Sequence, residues 1–139
     1  MNAKLMAYFN KRPRIAAFGT TDQEGKVNVV VLGSPEMTDE KTVVLLLRNS
    51  RTFANLKGNP HAALTIIEPG KTLPEWKGVR VYLKMIDYQT SGEKLEARRA
   101  KAAMTLGEER ARLIHAVVTM EISDLKPLDD VGQGWEASI

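Results

Sequence analysis

A small, mostly antiparallel β-barrel of six strands, with a helix inserted before the last strand, is the fold class this sequence predicts. Three observations carry that reading. Val29-Val30-Val31-Leu32 and Val43-Val44-Leu45-Leu46-Leu47 are aliphatic runs of strand length. Val79, Val81, Leu83 and Met85 alternate with Arg80, Tyr82 and Lys84, the period of two of a strand with one polar face. Only one long segment, Ser91–Met104, has the Glu, Lys, Arg and Ala content of a helix.

Taken in order, Asn2–Asn10 spaces Leu5, Met6, Tyr8 and Phe9 as a short amphipathic helix, and Pro13 breaks it. Arg14–Thr21 and Lys26–Ser34 read as strands joined by the polar turn Asp22-Gln23-Glu24-Gly25. The valine run of the second predicts a strand covered on both faces. A polar turn at Met37–Lys41 leads to a third strand, Thr42–Arg48. Ser50–Lys57 is a short helix stopped by Gly58 and Pro60. His61–Ile67, Val79–Gln89 and His115–Ile122 complete the six strands. Ser91 is the expected N-cap of the long helix, with Glu93 and Glu96 in its first turn. Ala97, Ala100 and Met104 form its expected contact stripe, and Glu108–Leu113 adds another turn. The last seventeen residues read as loop.

At 139 residues the chain is expected to form one domain. Its 43% hydrophobic and 27% charged residues are enough for a core and too apolar for wholesale disorder. The net charge of +3 is spread along the chain, which permits nucleic acid as a partner without indicating it. With no cysteine, thiolate metal sites, Cys nucleophiles and redox thiols are excluded. His61 and His115 are the only histidines, too few for a multi-histidine site. No apolar run approaches the roughly 18 residues of a membrane span, and Met1–Lys11 lacks a signal peptide's apolar stretch. A soluble, cytoplasmic protein is expected.

The most informative stretch is Arg48-Asn49-Ser50-Arg51-Thr52, leading into Phe53-Ala54-Asn55-Leu56. Ser50 stands at an N-cap position, and a helix N-terminus exposes unpaired N–H groups with a partial positive charge. Cations beside it are unfavourable by roughly 0.3–1 kcal/mol each, yet Arg48 and Arg51 flank it. An anion held by the amides, the guanidinium groups and the Ser50 and Thr52 hydroxyls would reverse that penalty. A capped surface helix with two solvated arginines is the other reading of the same residues. Asn55 reads either as a further contact to the loop or as a helix-surface residue.

Gly25-Lys26-Val27-Asn28-Val29-Val30-Val31-Leu32, then Ser50-Arg51-Thr52, then Asn55-Leu56 and Asn59-Pro60 together resemble the pyridoxamine 5'-phosphate oxidase-like FMN-binding split-barrel superfamily. The match runs from about Ile15 to Tyr88. It implies a six-stranded antiparallel split barrel of Greek-key type with a few peripheral helices. It also implies an FMN phosphate held by the Ser50-Arg51-Thr52 segment and a flavin ring lying along Val29-Val30-Val31-Leu32. An aliphatic strand suits that role, since the ring needs an apolar face and backbone groups for its polar edge; the same valines also serve as plain core. The family further implies a homodimer with flavin at the interface, where Trp76 or Trp135 acts as a lid or as interface packing. A deazaflavin is the alternative cofactor.

The chain is shorter than the oxidase for which the superfamily is named. Val117–Ile139 lacks that enzyme's basic and aromatic substrate segment, so pyridoxamine phosphate oxidation is not expected. The small FMN-binding and flavin reductase-like members are the better match. The leading expectation is an FMN-dependent redox protein, with no catalytic residue assigned. The alternatives are a flavin store or sensor without turnover and a basic barrel binding single-stranded nucleic acid. The last requires stacking aromatics, for which only Tyr82 and Tyr88 offer themselves. His61 and His115 read as structural or solvent-facing, and Asp129-Asp130 as part of a tail. No metal site is expected.

Overall fold

The computed structural model describes residues 3–139; Asn2 of the expected first helix lies outside them. The chain runs α1 (Ala3–Phe9), β1 (Ile15–Thr21), β2 (Val27–Val31), β3 (Glu36–Met37), β4 (Thr42–Leu47), α2 (Arg51–Gly58), β5 (His61–Glu68), β6 (Lys77–Gln89), α3 (Glu93–Leu106), α4 (Glu108–Arg112) and β7 (Ala116–Pro127). Single 3-10 turns form at Leu73–Glu75 and Trp135–Ser138.

The strands form one antiparallel sheet in the order β2-β1-β5-β6-β7-β4-β3. The sheet therefore has seven strands rather than six, and it does not close. A closed barrel has no edges, whereas β2 and β3 here each pair on one side only. The extra strand is two residues long, with Glu36 and Met37 opposite Val44 and Val43, too short for any period to reveal. β7 also continues to Pro127, through residues expected as loop. The thirteen-residue β6 supplies a partner for its whole length, with register shifts at Tyr82/Leu83 and Met85/Asp87.

One core joins nearly every strand. Phe18, Leu64, Ile66, Val79, Val81, Leu83, Val118 and Met120 are buried together with Val43 and Leu45, and Leu5, Phe9, Phe53 and Leu56 enter from α1 and α2. β4 is buried on both faces, because Val44 packs outward with Leu95, Ile114 and Val117. That explains its unbroken aliphatic run. β2 does not share this environment. Val27, Val29 and Val31 are 73%, 69% and 70% exposed, while Val30 and Leu32 lean on the core. The expected cover on both faces is thus absent: β2 is an edge strand, and nothing among the described residues covers its outer row.

α3 also departs from expectation. Ala97 and Ala100 are exposed and Met104 is 88% exposed, whereas Leu95 is buried and Ala102 half-buried. The contact face is therefore Leu95 and Ala102, two turns apart. Gly92, not Ser91, is the N-cap, with φ +99 where L side chains are strained.

Leu64→Ala should lower unfolding free energy by about 2–5 kcal/mol through a core cavity. Gly78→Ala should be at least as damaging, because its Cβ would lie 2.1 Å from the Ile66 carbonyl oxygen. Gly33 has open space around its Cβ position, so Gly33→Ala should stay within about 0.5 kcal/mol of the parent. Urea unfolding of the three variants measures this; equal losses at Gly78 and Gly33 would contradict the β5–β6 approach.

Candidate functional site

Phe53 and Leu56, both buried, seat α2 on the core and so orient its N-terminus. Ser50 caps it in extended conformation: its Oγ accepts from the Phe53 N–H (3.4 Å) and donates to the Arg48 carbonyl (3.2 Å). Three side-chain hydrogen bonds lay the helix along the first hairpin. Asn28 Nδ2 of β2 donates to Thr52 Oγ1 (3.2 Å), Asn55 Nδ2 to Thr20 Oγ1 (3.1 Å) and Asn59 Nδ2 to Thr21 Oγ1 (2.9 Å). Nearby, Ser34 Oγ accepts from the Leu46 N–H (3.0 Å) and donates to the Leu46 carbonyl (3.2 Å), joining the segment after β2 to β4.

These bonds bring distant stretches of the sequence around one cleft of about 910 Å³. Val30, Val31 and Leu32 line it from β2 and its continuation, and Arg48, Ser50 and Thr52 from the capped loop. The remaining expected site residues lie elsewhere. Val29 faces outward, Asn49 and Arg51 are exposed beside the cleft without lining it, and Asn55 is buried against Thr20. Asn55 therefore neither reaches the loop nor lies on a solvated helix surface.

The opposite wall comes from α3 and α4, with Arg98, Lys101, Ala102, Thr105 and Arg110. By its charged composition alone, this helix reads as a solvated face with a contact stripe. Its available signal was the spacing 98, 101, 105, which places two cations and a hydroxyl on one side of a helix. The cleft is lined by five cations, Arg12, Arg48, Arg98, Lys101 and Arg110, and by one carboxylate, Glu36. Arg98 Nη1 lies 2.9 Å from Glu36 Oε1 and Lys101 Nζ 3.7 Å from Oε2. The Arg98 hydrogen bond, with both positive charges, holds the Glu36 carboxyl below its ordinary range. Arg12 donates to the carbonyls of Asn10 (3.1 Å) and Pro35 (3.2 Å). Arg48, Arg51 and Arg110 have no partner among the described residues.

The remaining candidates stay outside the cleft. His61 is exposed, and His115 packs edge-on to Phe53 at 5.5 Å. Trp135 packs on its own chain's core, Trp76 is part-exposed, and Asp130 pairs with Arg80. Among the described residues, no cluster of three or more His, Cys, Asp or Glu is placed to hold a metal ion. No helix among them is long and apolar enough to cross a membrane.

Solved structures of low sequence identity share this fold. An FMN-binding protein from Syntrophomonas wolfei subsp. wolfei is 19% identical, with 92% of this chain and 84% of that one covered at a TM-score of 0.74. An F420 reductase is 18% identical, with 82% and 90% covered at 0.64. HutZ, the haem storage protein from Vibrio cholerae, is 18% identical, with 88% and 92% covered at 0.60. No protein-family model and no curated protein matches the sequence.

Glu36→Gln removes the cleft's one carboxylate. A carboxyl held low in the folded chain contributes stability above its unfolded pKa, and loses it as pH falls through the folded value. Half-exposed as the pair is, the parent should exceed the variant by under about 1 kcal/mol at pH 7. The difference should shrink towards zero below the ordinary carboxylate range. Denaturant unfolding at pH 7 and at acid pH checks this, and a pH-independent gap would contradict it.

Proposed function

We propose that the protein is a cytoplasmic FMN-binding oxidoreductase that works as a homodimer and passes electrons or hydride through the flavin. One observation carries the reading: the edge strand β2 and the capped cationic loop Arg48–Thr52 face the same cleft.

The residues fit the group. Ser50 Oγ occupies the Phe53 N–H and the Ser50 carbonyl takes that of Ala54, which leaves the Arg51 and Thr52 amides for an anion. Arg48, free of any ion pair, adds a charge-assisted contact, and Ser50 and Thr52 add hydroxyls. Arg51 and Asn49 flank the same turn from outside the cleft, where an unpaired Arg51 strengthens the positive field. Val30 and Leu32 offer an apolar shelf, and as an edge strand β2 keeps backbone N–H and C=O groups for the polar rim of a ring. When bound, the flavin supplies the redox chemistry; the chain's residues bind it, orient it and set its electrostatics. The cleft's titratable side chains are cations and an ion-paired carboxylate, so they neutralise charge rather than shuttle protons. Both histidines lie outside the cleft, which favours a flavin over haem there.

The exposed row Val27, Val29 and Val31 borders the cleft on an edge strand, and a second copy is the cover we assign to it. Closed twofold symmetry is the commonest arrangement for such pairs.

A yellow purified protein with a flavin spectrum is the first check, and the position of the bands separates FMN from a deazaflavin. Bleaching by a reduced nicotinamide nucleotide then divides a reductase from a flavin store. Arg48→Ala should weaken FMN binding about ten- to a hundred-fold, the equivalent of roughly 1.5–3 kcal/mol for a charge-assisted contact. Arg51→Ala should act in the same direction. Riboflavin, which lacks the phosphate, should bind parent and variants alike; equal losses for both flavins would overturn the phosphate assignment.

Flavin-loaded protein should sediment at twice the chain mass, and Val29→Lys should yield monomers that bind flavin more weakly. A parent that is monomeric with flavin fully bound would refute the dimer.

A further inference from the structure

Ser34 lies where two strands part. β3 and β4 pair at Glu36–Val44 and Met37–Val43. The same register, carried further, sets Ser34 opposite Leu46 and Leu32 opposite Arg48. The backbones separate before those positions: β3 begins only at Glu36, and the Leu32 N–H donates instead to the Ala16 carbonyl of β1 (2.9 Å). The Ser34 hydroxyl fills the gap. It takes both backbone groups of Leu46, accepting from the N–H at 3.0 Å and donating to the carbonyl at 3.2 Å. Those are the two groups that a hydrogen-bonded residue of an antiparallel partner strand would take. One side chain thus stands in for a ladder pair, and the cleft opens beside it with Leu32 and Arg48 in its lining.

The residues after Ser34 have fastenings of their own. Arg12 and Arg14 both donate to the Pro35 carbonyl, and Asn10 bonds both backbone groups of Met37 at 2.9 Å each. The Ser34–Leu46 bonds differ in what they join. Leu32 of the apolar shelf and Arg48 of the anion loop each stand two residues away from them, about 7 Å of strand. So short a span has little slack, and a shift at Ser34 moves the shelf relative to the loop. We propose that Ser34 is a positioning residue whose two bonds to Leu46 fix the distance between the β2 shelf and the Arg48–Thr52 loop. The apolar ring and the anionic group of one ligand are then met at matched spacing. The proposal rests on the flavin reading in naming that ligand. Two linked contacts reinforce each other only when their spacing suits the ligand, whereas a fragment that makes one contact is indifferent to it.

The test compares the parent with Ser34→Ala and Ser34→Thr. Three probes are titrated: FMN, riboflavin as the ring without the phosphate, and inorganic phosphate as the anion without the ring. Ser34→Ala should weaken FMN binding at least about tenfold, while riboflavin and phosphate affinities each change by less than about threefold. Ser34→Thr keeps the hydroxyl and should stay within about threefold of the parent for FMN. Damage to the fold or to one contact would weaken a fragment as well, so a riboflavin or phosphate loss equal to that of FMN overturns the proposal. Unchanged FMN affinity in Ser34→Ala overturns it too, as does a Ser34→Thr variant no better than Ser34→Ala. Should Ser34→Ala fail to fold, Ser34→Cys carries the same comparison, because a thiol is a weak donor and a weak acceptor. Should the parent bind neither FMN nor riboflavin, the flavin reading fails by itself, and Ser34 is tested without a ligand. Nitroxide labels at Gly33→Cys and Asn49→Cys, both exposed positions in a chain with no other cysteine, then report the width of the cleft. A longer or broader label separation on adding Ser34→Ala supports the positioning role, and an unchanged one refutes it.

Discussion

The seating of α2 on the first hairpin is the constraint on which the site depends. Phe53 and Leu56 give the helix its depth in the core, while Asn28–Thr52, Asn55–Thr20 and Asn59–Thr21 set its direction along β1 and β2. Apolar burial is non-directional, so the two side chains alone would leave the helix free to rotate about its contact. The hydrogen bonds, one of them wholly buried, remove that freedom, because a buried polar group left unpaired costs about 1–3 kcal/mol. With α2 held, its N-terminus and Arg48 must face the edge of the sheet.

The open edge is the second half of the arrangement. A closed barrel would consume the edge backbone groups of β2. By ending the sheet there, the fold keeps a strand with one face on the core and an uncovered outer row. Such edges invite pairing and are usually blunted. Here Val27, Val29 and Val31 leave this one apolar and exposed. The α3–α4 wall adds the third element, turning an apolar groove into one with a positive rim on two sides.

Much of this was legible before any coordinates. The aliphatic runs, the period-two alternation in β6 and the single charged helix placed the antiparallel class and most element boundaries, and Ser50 was readable as the N-cap from residue type alone. What escaped has identifiable causes. β3 has two residues and hence no period. Asn55 and Arg98 are polar residues on helices, for which residue type gives no facing. Asn55 turned inward because Thr20 was there to receive it, and Arg98 turned to the cleft because Glu36 was.

The sequence by itself determined the local properties: where strands and helices form, where α2 begins, and that two arginines crowd its positive end. These follow from the periodicity and capping preferences of neighbouring residues, which act within a few positions along the chain. Only the tertiary structure decided which face of each element met which neighbour. It exposed Val27, Val29 and Val31 of β2 while burying the valines of β4, and it faced the cations of α3 and α4 across a cleft from the Arg48–Thr52 loop. Those outcomes depend on strand order, and strand order is set by contacts between residues dozens of positions apart, which no local pattern encodes.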